Sequence, residues 1–367
     1  MTAANPEDRR NFGLDLTRVI AMAMVVVAHA SWIDATMFGF TISNWFAYSG
    51  VMGVEIFFVL SGFLIGSILL RIAGSDPGWR EWLTFMMRRW MRTLPAYYVA
   101  LLLTVLLWPP DHALVSHLAT YMTLTQNLAA NFPSDDWFNV SWSLSIEEWF
   151  YLLFSTSLIG ITALSSRRLV RDVPLMLFLV LPLLFRTMHG VDSMWFHSVH
   201  QVVAYRLDAI AYGVALVRFG RLATFARWWP VSLLAGSSLV LIGWTMASTN
   251  ILHIPGTYIH LLFTPVTSTG VALCIAAAAR WKSANRLIAG PVRMLSNQSY
   301  AIYLTHMTII QLLTLGYWRG QLSRSFAVAA APFVIFCVSW ISYRFLEKPI
   351  LSWRPAQHVG AIDPEPA

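Results

Sequence analysis

The chain has 367 residues, of which 57% are apolar and only 12% charged, and its mean hydropathy is +0.59. So few charges cannot cover so much apolar surface, which excludes a soluble globular protein of this size. The net charge of +7 is scattered through short runs between apolar segments, so no nucleic-acid partner is implied.

Runs of about twenty apolar residues recur along the chain and define an all-α, polytopic integral membrane helical bundle. Ten spans are predicted, at about 14–34, 46–70, 93–108, 142–162, 173–185, 202–219, 229–247, 257–279, 294–315 and 326–346. The segment 112–130 is mildly apolar but dotted with His, Ser, Thr and Gln, and is expected to be an interfacial helix. Residues 1–350 form one transmembrane domain, and 351–367 a short disordered tail. The polar first eleven residues and the missing small-residue cleavage site predict no removed signal peptide. Cys274 and Cys337 fall inside spans as small apolar residues, without a disulfide framework. The many Trp and Tyr suit interfacial belts better than sugar stacking.

Lys and Arg fix the direction. With the N-terminus inside, only Arg186, Arg206, Arg319 and Arg324 fall outside the cytoplasmic side. Loops 35–45, 109–141 and 248–256 carry none, so both termini are predicted cytoplasmic.

The first span carries Arg18 at its inner mouth and His29 in its outer half. Eleven residues on a helix bring both side chains to nearly the same face, roughly 16 Å apart. An ionisable residue inside a span is a functional hypothesis, and a histidine bonded to a neighbouring helix is the equal alternative. Glu147, about six residues into the antiparallel fourth span, lies at a depth similar to His29, so the two can pair or sit on faces that never meet. Arg88, Arg89 and Arg92 directly precede the predicted third span. Positive-inside clustering explains them simply; together with a helix N-terminus they also suit phosphates.

Gly50, Gly53, Gly62 and Gly66 in the second span read as packing positions, with Glu55 and Ser61 beside them. Arg206 and Asp208 are expected to neutralise one another or neighbours. His306 near mid-depth is either structural or cavity-lining. His189, His197 and His200 have no metal-like spacing and read as surface residues or acceptor contacts, and no metal site is predicted.

In order along the chain, these features resemble membrane acyltransferase family 3, the bacterial polytopic O-acyltransferases. The matching residues are Arg18 with His29, GVEIFFVLSGFLI, Arg89-x-x-Arg92 with Pro95, SWSLSIEEWFY, RLD-x-x-x-x-G, SYAIYLTH and the late EKP. The resemblance implies a multi-pass protein of the bacterial inner membrane that takes an acetyl or other short acyl group from cytoplasmic acyl-CoA, with acetyl-CoA as co-substrate. The group goes to a hydroxyl of an extracytoplasmic glycan or lipid-linked saccharide. By that likeness His29 is catalytic, Glu147 supports it, and Arg18, Arg88, Arg89 and Arg92 hold the donor. A pantetheine arm of some 15–20 Å matches the Arg18–His29 spacing. Many relatives add a C-terminal SGNH-type domain that is not seen here, which leaves room for a separate extracytoplasmic partner protein. The competing class is a transporter or flippase, which predicts helix-breaking interruptions in two matched halves; none is visible. A non-catalytic membrane subunit is the third.

Overall fold

The structure, a computed structural model, describes residues 10–38, 48–75, 78–110, 112–128, 137–165, 167–189, 196–220, 222–248 and 259–356. Among these residues every element is helical. The first seven helices are α1 (Phe12–Phe38), α2 (Ser49–Gly74), α3 (Trp79–Leu107), α4 (His112–Met122), α5 (Ser141–Leu164), α6 (Arg168–His189) and α7 (Val203–Phe219). They are followed by α8 (Leu222–Arg227), α9 (Trp229–Ser248), α10 (Ile259–Ala278), α11 (Arg286–Trp318), α12 (Arg324–Ile341) and α13 (Lys348–Ser352). Two π-helical segments, Phe196–His200 and Ser342–Glu347, lead into α7 and α13.

Helix starts follow local capping chemistry. The Asn11 carboxamide oxygen accepts from Leu14 N at 3.2 Å, Asn285 from Leu287 N at 3.1 Å, and Ser323 Oγ from Phe326 N at 3.3 Å. At α3, Glu81 Oε2 accepts from Gly78 N at 2.9 Å, the reciprocal half of a capping box.

Seven described helices are long and apolar enough to cross a membrane: Phe12–Ala30, Ser49–Gly74, Trp79–Leu107, Ser141–Leu164, Trp229–Ser248, His260–Ala278 and Arg324–Ser352. The other three predicted spans coincide with helices that fall short of that test. α7 has 17 residues and carries Arg206 and Asp208. α6 contains Arg171, Asp172 and Arg186 as well as Pro174 and Pro182, and α11 alternates apolar with hydroxyl and amide residues. One boundary is corrected outright. The sequence predicts the third span at 93–108, but its helix begins at Trp79, so Arg88, Arg89 and Arg92 lie well inside α3.

The chain divides into two compact units. The first comprises residues 1–60, 220–252 and 262–343. Its core joins α1, α11 and α12 through Met22, Ile302, Ile309, Ile310 and Ile335, with Phe57 and Leu313 packed against them. Here α2 approaches α1 so closely that a Cβ at Gly53 would lie 2.6 Å from the Ala21 carbonyl oxygen. The second unit comprises 61–219, 253–261 and 344–367. In it α5, α6 and α7 pack together, and a Cβ at Gly62 would overlap the Ile210 carbonyl of α7. Arg186 of α6 and Asp208 of α7 form a buried bidentate pair at 2.6 and 3.1 Å, and Arg186 also donates to Tyr205 O. The neighbour that neutralises Asp208 is therefore Arg186.

Candidate active site

In the first unit α1 runs unbroken from Phe12 to Phe38, so the helical spacing of Arg18 and His29 holds and separates them by roughly 16 Å along the axis. The sequence leaves His29 undecided; the fold gives it a partner. His29 Nδ1 lies 2.9 Å from His306 Nε2, with ring centroids 5.0 Å apart and planes tilted by 41°. His306 is fully buried, and its Nδ1 lies 3.0 Å from the Ile302 carbonyl oxygen one turn back on α11.

A carbonyl oxygen only accepts, so His306 Nδ1 carries the proton. For two neutral rings the assignment then propagates. His306 Nε2 is the lone pair that accepts from His29 Nδ1–H, which leaves the lone pair of His29 on Nε2. That is the arrangement a general base or a nitrogen nucleophile requires, with the second ring setting the tautomer and orientation of the first.

At the other end of α1, Arg18 sits in a polar knot. It donates to Ser296 Oγ at 2.9 Å and to Asp15 Oδ1 at 3.3 Å. Ser296 Oγ donates to the same carboxylate at 2.6 Å, and Arg10 reaches Asp15 at 2.9 Å and Asn297 at 2.6 Å. Asp15 thus binds α1 to the start of α11 while holding two guanidinium groups together.

The second unit carries Arg88, Arg89, Arg92 and Glu147. Arg88 Nη1 donates to the Pro355 carbonyl at 2.5 Å, and the Arg89 guanidinium lies 5.7 Å from the Phe85 ring centroid. Arg354, just beyond α13, joins this group. Burial, reinforced by Arg92, Arg89 and Arg88, pushes its guanidinium down to about 10, and its Nε and Nη2 are buried without a hydrogen-bond partner among the described residues. Four guanidinium groups so close repel one another, and an anion between them relieves that repulsion. The helix N-terminus expected to assist them does not: α3 begins at Trp79, so Arg89 stands ten residues in, about 15 Å up the helix.

Glu147 is half-buried on α5. Its neighbour Glu148 is the deeper carboxylate and accepts from Thr93 Oγ1 of α3 at 2.6 Å. One turn on, Tyr151 and Ser61 hydroxyls meet at 2.5 Å.

His200 is also corrected. It is fully buried against Trp142 at a centroid distance of 5.3 Å, and burial pushes it down to about 3, so it stays neutral. His197 Nδ1 lies 3.0 Å from Gln201 Oε1. The side chain of His189 lies outside the described residues. Among the described residues no three His, Cys, Asp or Glu side chains gather as metal ligands.

His306, Glu148, Arg186 and Arg354 are therefore the site and packing residues to which no sequence pattern assigns a role. Only His306 carries a visible hint, as a histidine at mid-depth.

An imidazole with a fixed tautomer on an unbroken helix, in a chain of apolar helices, fits group transfer in a membrane. The chain belongs to the acyltransferase 3 family, whose model, described as an acyltransferase domain, matches residues 11–344. It is similar to the peptidoglycan O-acetyltransferase OatA of Listeria monocytogenes, 28% identical over 380 residues covering 92% of this chain and 55% of that protein. It is also similar to YrhL of Bacillus subtilis, 28% identical over 373 residues covering 92% of this chain and 54% of that protein. The chain thus spans about half the length of the curated relatives it matches. No solved structure matches it. The family's acyltransferase domain thus covers nearly the whole of this chain, seven of whose described helices are long and apolar enough to cross a membrane.

Proposed function

We propose that the chain moves an acetyl or other short acyl group from cytoplasmic acyl-CoA to a hydroxyl of an extracytoplasmic glycan or lipid-linked saccharide. It does so across the bacterial inner membrane, through ten spans with both termini cytoplasmic. The observation that carries this reading is the hydrogen-bonded His29–His306 pair, with the lone pair of His29 left on Nε2.

Arg18, Arg88, Arg89 and Arg92 supply charge for the phosphates of the coenzyme, and Arg354 extends the group. Glu147 supports the site as a carboxylate of the fourth predicted span. In the direct route, His29 Nε2 takes the proton of the acceptor hydroxyl as its oxygen attacks the thioester carbonyl carbon. The C–S bond breaks, the ester C–O bond forms, and the thiolate leaves and takes up the proton as free coenzyme A. In the two-step route Nε2 itself attacks the carbonyl carbon and the thiolate leaves; the acceptor oxygen then attacks that carbon, the C–N bond breaks to free Nε2, and the hydroxyl proton ends on the thiolate as free coenzyme A. Both routes need an unprotonated Nε2.

The relatives named for peptidoglycan make that polymer the first acceptor to assay. A separate extracytoplasmic partner protein is included in the reading. The test is a deletion strain complemented with wild type or His29→Ala, with acetylation of surface glycans measured by mass spectrometry. Wild type is expected to restore acetylation, and the variant to leave none at equal protein level. Normal acetylation by His29→Ala would overturn the assignment.

A further inference from the structure

In the second unit α3 and α5 are tied by polar contacts at successive levels. Trp82 Nε1 donates to Ser155 Oγ at 3.1 Å, and Thr93 Oγ1 donates to Glu148 Oε1 at 2.6 Å. Between those levels on α5 the Tyr151 hydroxyl meets Ser61 Oγ of α2. Arg89 stands among these groups, one turn before Thr93 and on the same face of α3. It interacts electrostatically with Tyr151, Arg92, Glu148 and Glu147.

One level is left open. Glu148 is only 7% exposed, yet its Oε2 meets no hydrogen-bond partner among the described residues. The buried Nε of Arg89 is in the same position, so the two atoms do not satisfy one another either. A bare polar atom inside a helix bundle costs free energy that apolar packing does not return, and each one calls for a reason. Arg89 as a whole stays partly exposed, so the level is not sealed on its side.

The open atoms are one acceptor and one donor, on groups of opposite charge. An anion there is repelled by the Glu148 carboxylate, and a cation by the Arg89 guanidinium. A neutral group with a donor and an acceptor suits both, and a secondary amide carries the two on separate atoms, N–H and C=O. We infer that Glu148 Oε2 and Arg89 Nε form a binding site for an amide of the pantetheine arm of the acyl donor. The amide N–H donates to Glu148, and its carbonyl oxygen accepts from Arg89. The open atoms stand on the structure alone; that the amide belongs to acyl-CoA rests on the proposed function.

Glu148→Leu removes the acceptor at similar volume, and Thr93 keeps the Arg89 carbonyl as its own acceptor at 3.1 Å. Full-length protein in detergent is titrated calorimetrically with coenzyme A and with adenosine 3′,5′-bisphosphate, which lacks the pantetheine arm. Glu148→Leu is expected to bind coenzyme A at least tenfold more weakly than wild type and the bisphosphate within twofold. Glu148→Gln, whose carboxamide oxygen still accepts, is expected to keep most of the affinity for coenzyme A. Without ligand, Glu148→Leu is expected to melt no lower than wild type, because an unsatisfied buried atom is gone. Should the leucine variant not fold, Glu148→Ser, too short to reach the amide, is read in the same way. Coenzyme A binding within twofold of wild type overturns the site. A loss shared equally by the bisphosphate, or joined to a lower melting temperature, assigns Glu148 to packing and overturns it as well. Failure of wild type to bind coenzyme A is a separate result, which removes the donor from the proposed function and the amide site with it.

Discussion

His306 orients His29 through one hydrogen bond, and substitutions can isolate that bond. His306→Ala removes the acceptor of His29 Nδ1–H, so acyl transfer should fall roughly 10²-fold, the low end of what a placed general base contributes. The loss should appear in kcat, with KM for acyl-CoA unchanged. His306→Gln puts an amide oxygen near the lost Nε2 and should recover much of the rate, which a merely space-filling role would not explain. Arg354→Gln should do the reverse, raising KM for acyl-CoA while leaving kcat near wild type. It should also leave thermal stability without donor unchanged or higher, because a guanidinium already pushed down to about 10 by burial and by Arg92, Arg89 and Arg88 is charged at neutral pH at a cost. Arg18 and His29 are legible because both lie on one helix, where spacing alone fixes their relative face. His306 and Arg354 are not, because α1 and its partners are apolar nearly all round. Nothing in their period tells which face meets which helix, and the matching residues lie 277 and 265 positions away from His29 and Arg89.

At the scale of elements, glycine sets how near the helices approach. A side chain at Gly62 would meet the Ile210 carbonyl, so Gly62→Val should lower the melting temperature in detergent by an amount equivalent to about 1–3 kcal/mol of overpacking. Val at Gly160, where nothing lies within 4 Å of a Cβ, should change it little. The glycine pattern of α2 is readable as packing, since small residues one and two turns apart have few other uses in a span. The start of α3 is not. WREWLTFMMRRWMRT scores as polar by hydropathy, yet its arginines lie along a helix whose apolar residues Phe85 and Met86 are buried. The Gly78–Glu81 capping pair is the signal for the true boundary.

For the whole molecule, ten spans require that α11 carry the chain from one side of the membrane to the other. Ser283→Cys and Gln321→Cys flank that helix, and both positions are exposed. An impermeant maleimide added to intact cells should label position 321 and spare 283; labelling of both or of neither would remove a crossing and reverse the topology beyond it. The number of spans is harder to read than the class of fold, because α6, α7 and α11 each carry polar groups that only their neighbours satisfy. The Arg186–Asp208 pair also constrains biogenesis. Taken singly, α6 presents an arginine and α7 an aspartate to the hydrocarbon, and neither is a good substrate for insertion from the translocon. Joined, they cancel, so α6 should wait at the channel until α7 has been synthesised, and the two should partition into lipid as one hairpin. A nascent chain arrested before Val203 should leave α6 accessible to aqueous reagents, and lengthening it past Phe219 should hide both helices at once.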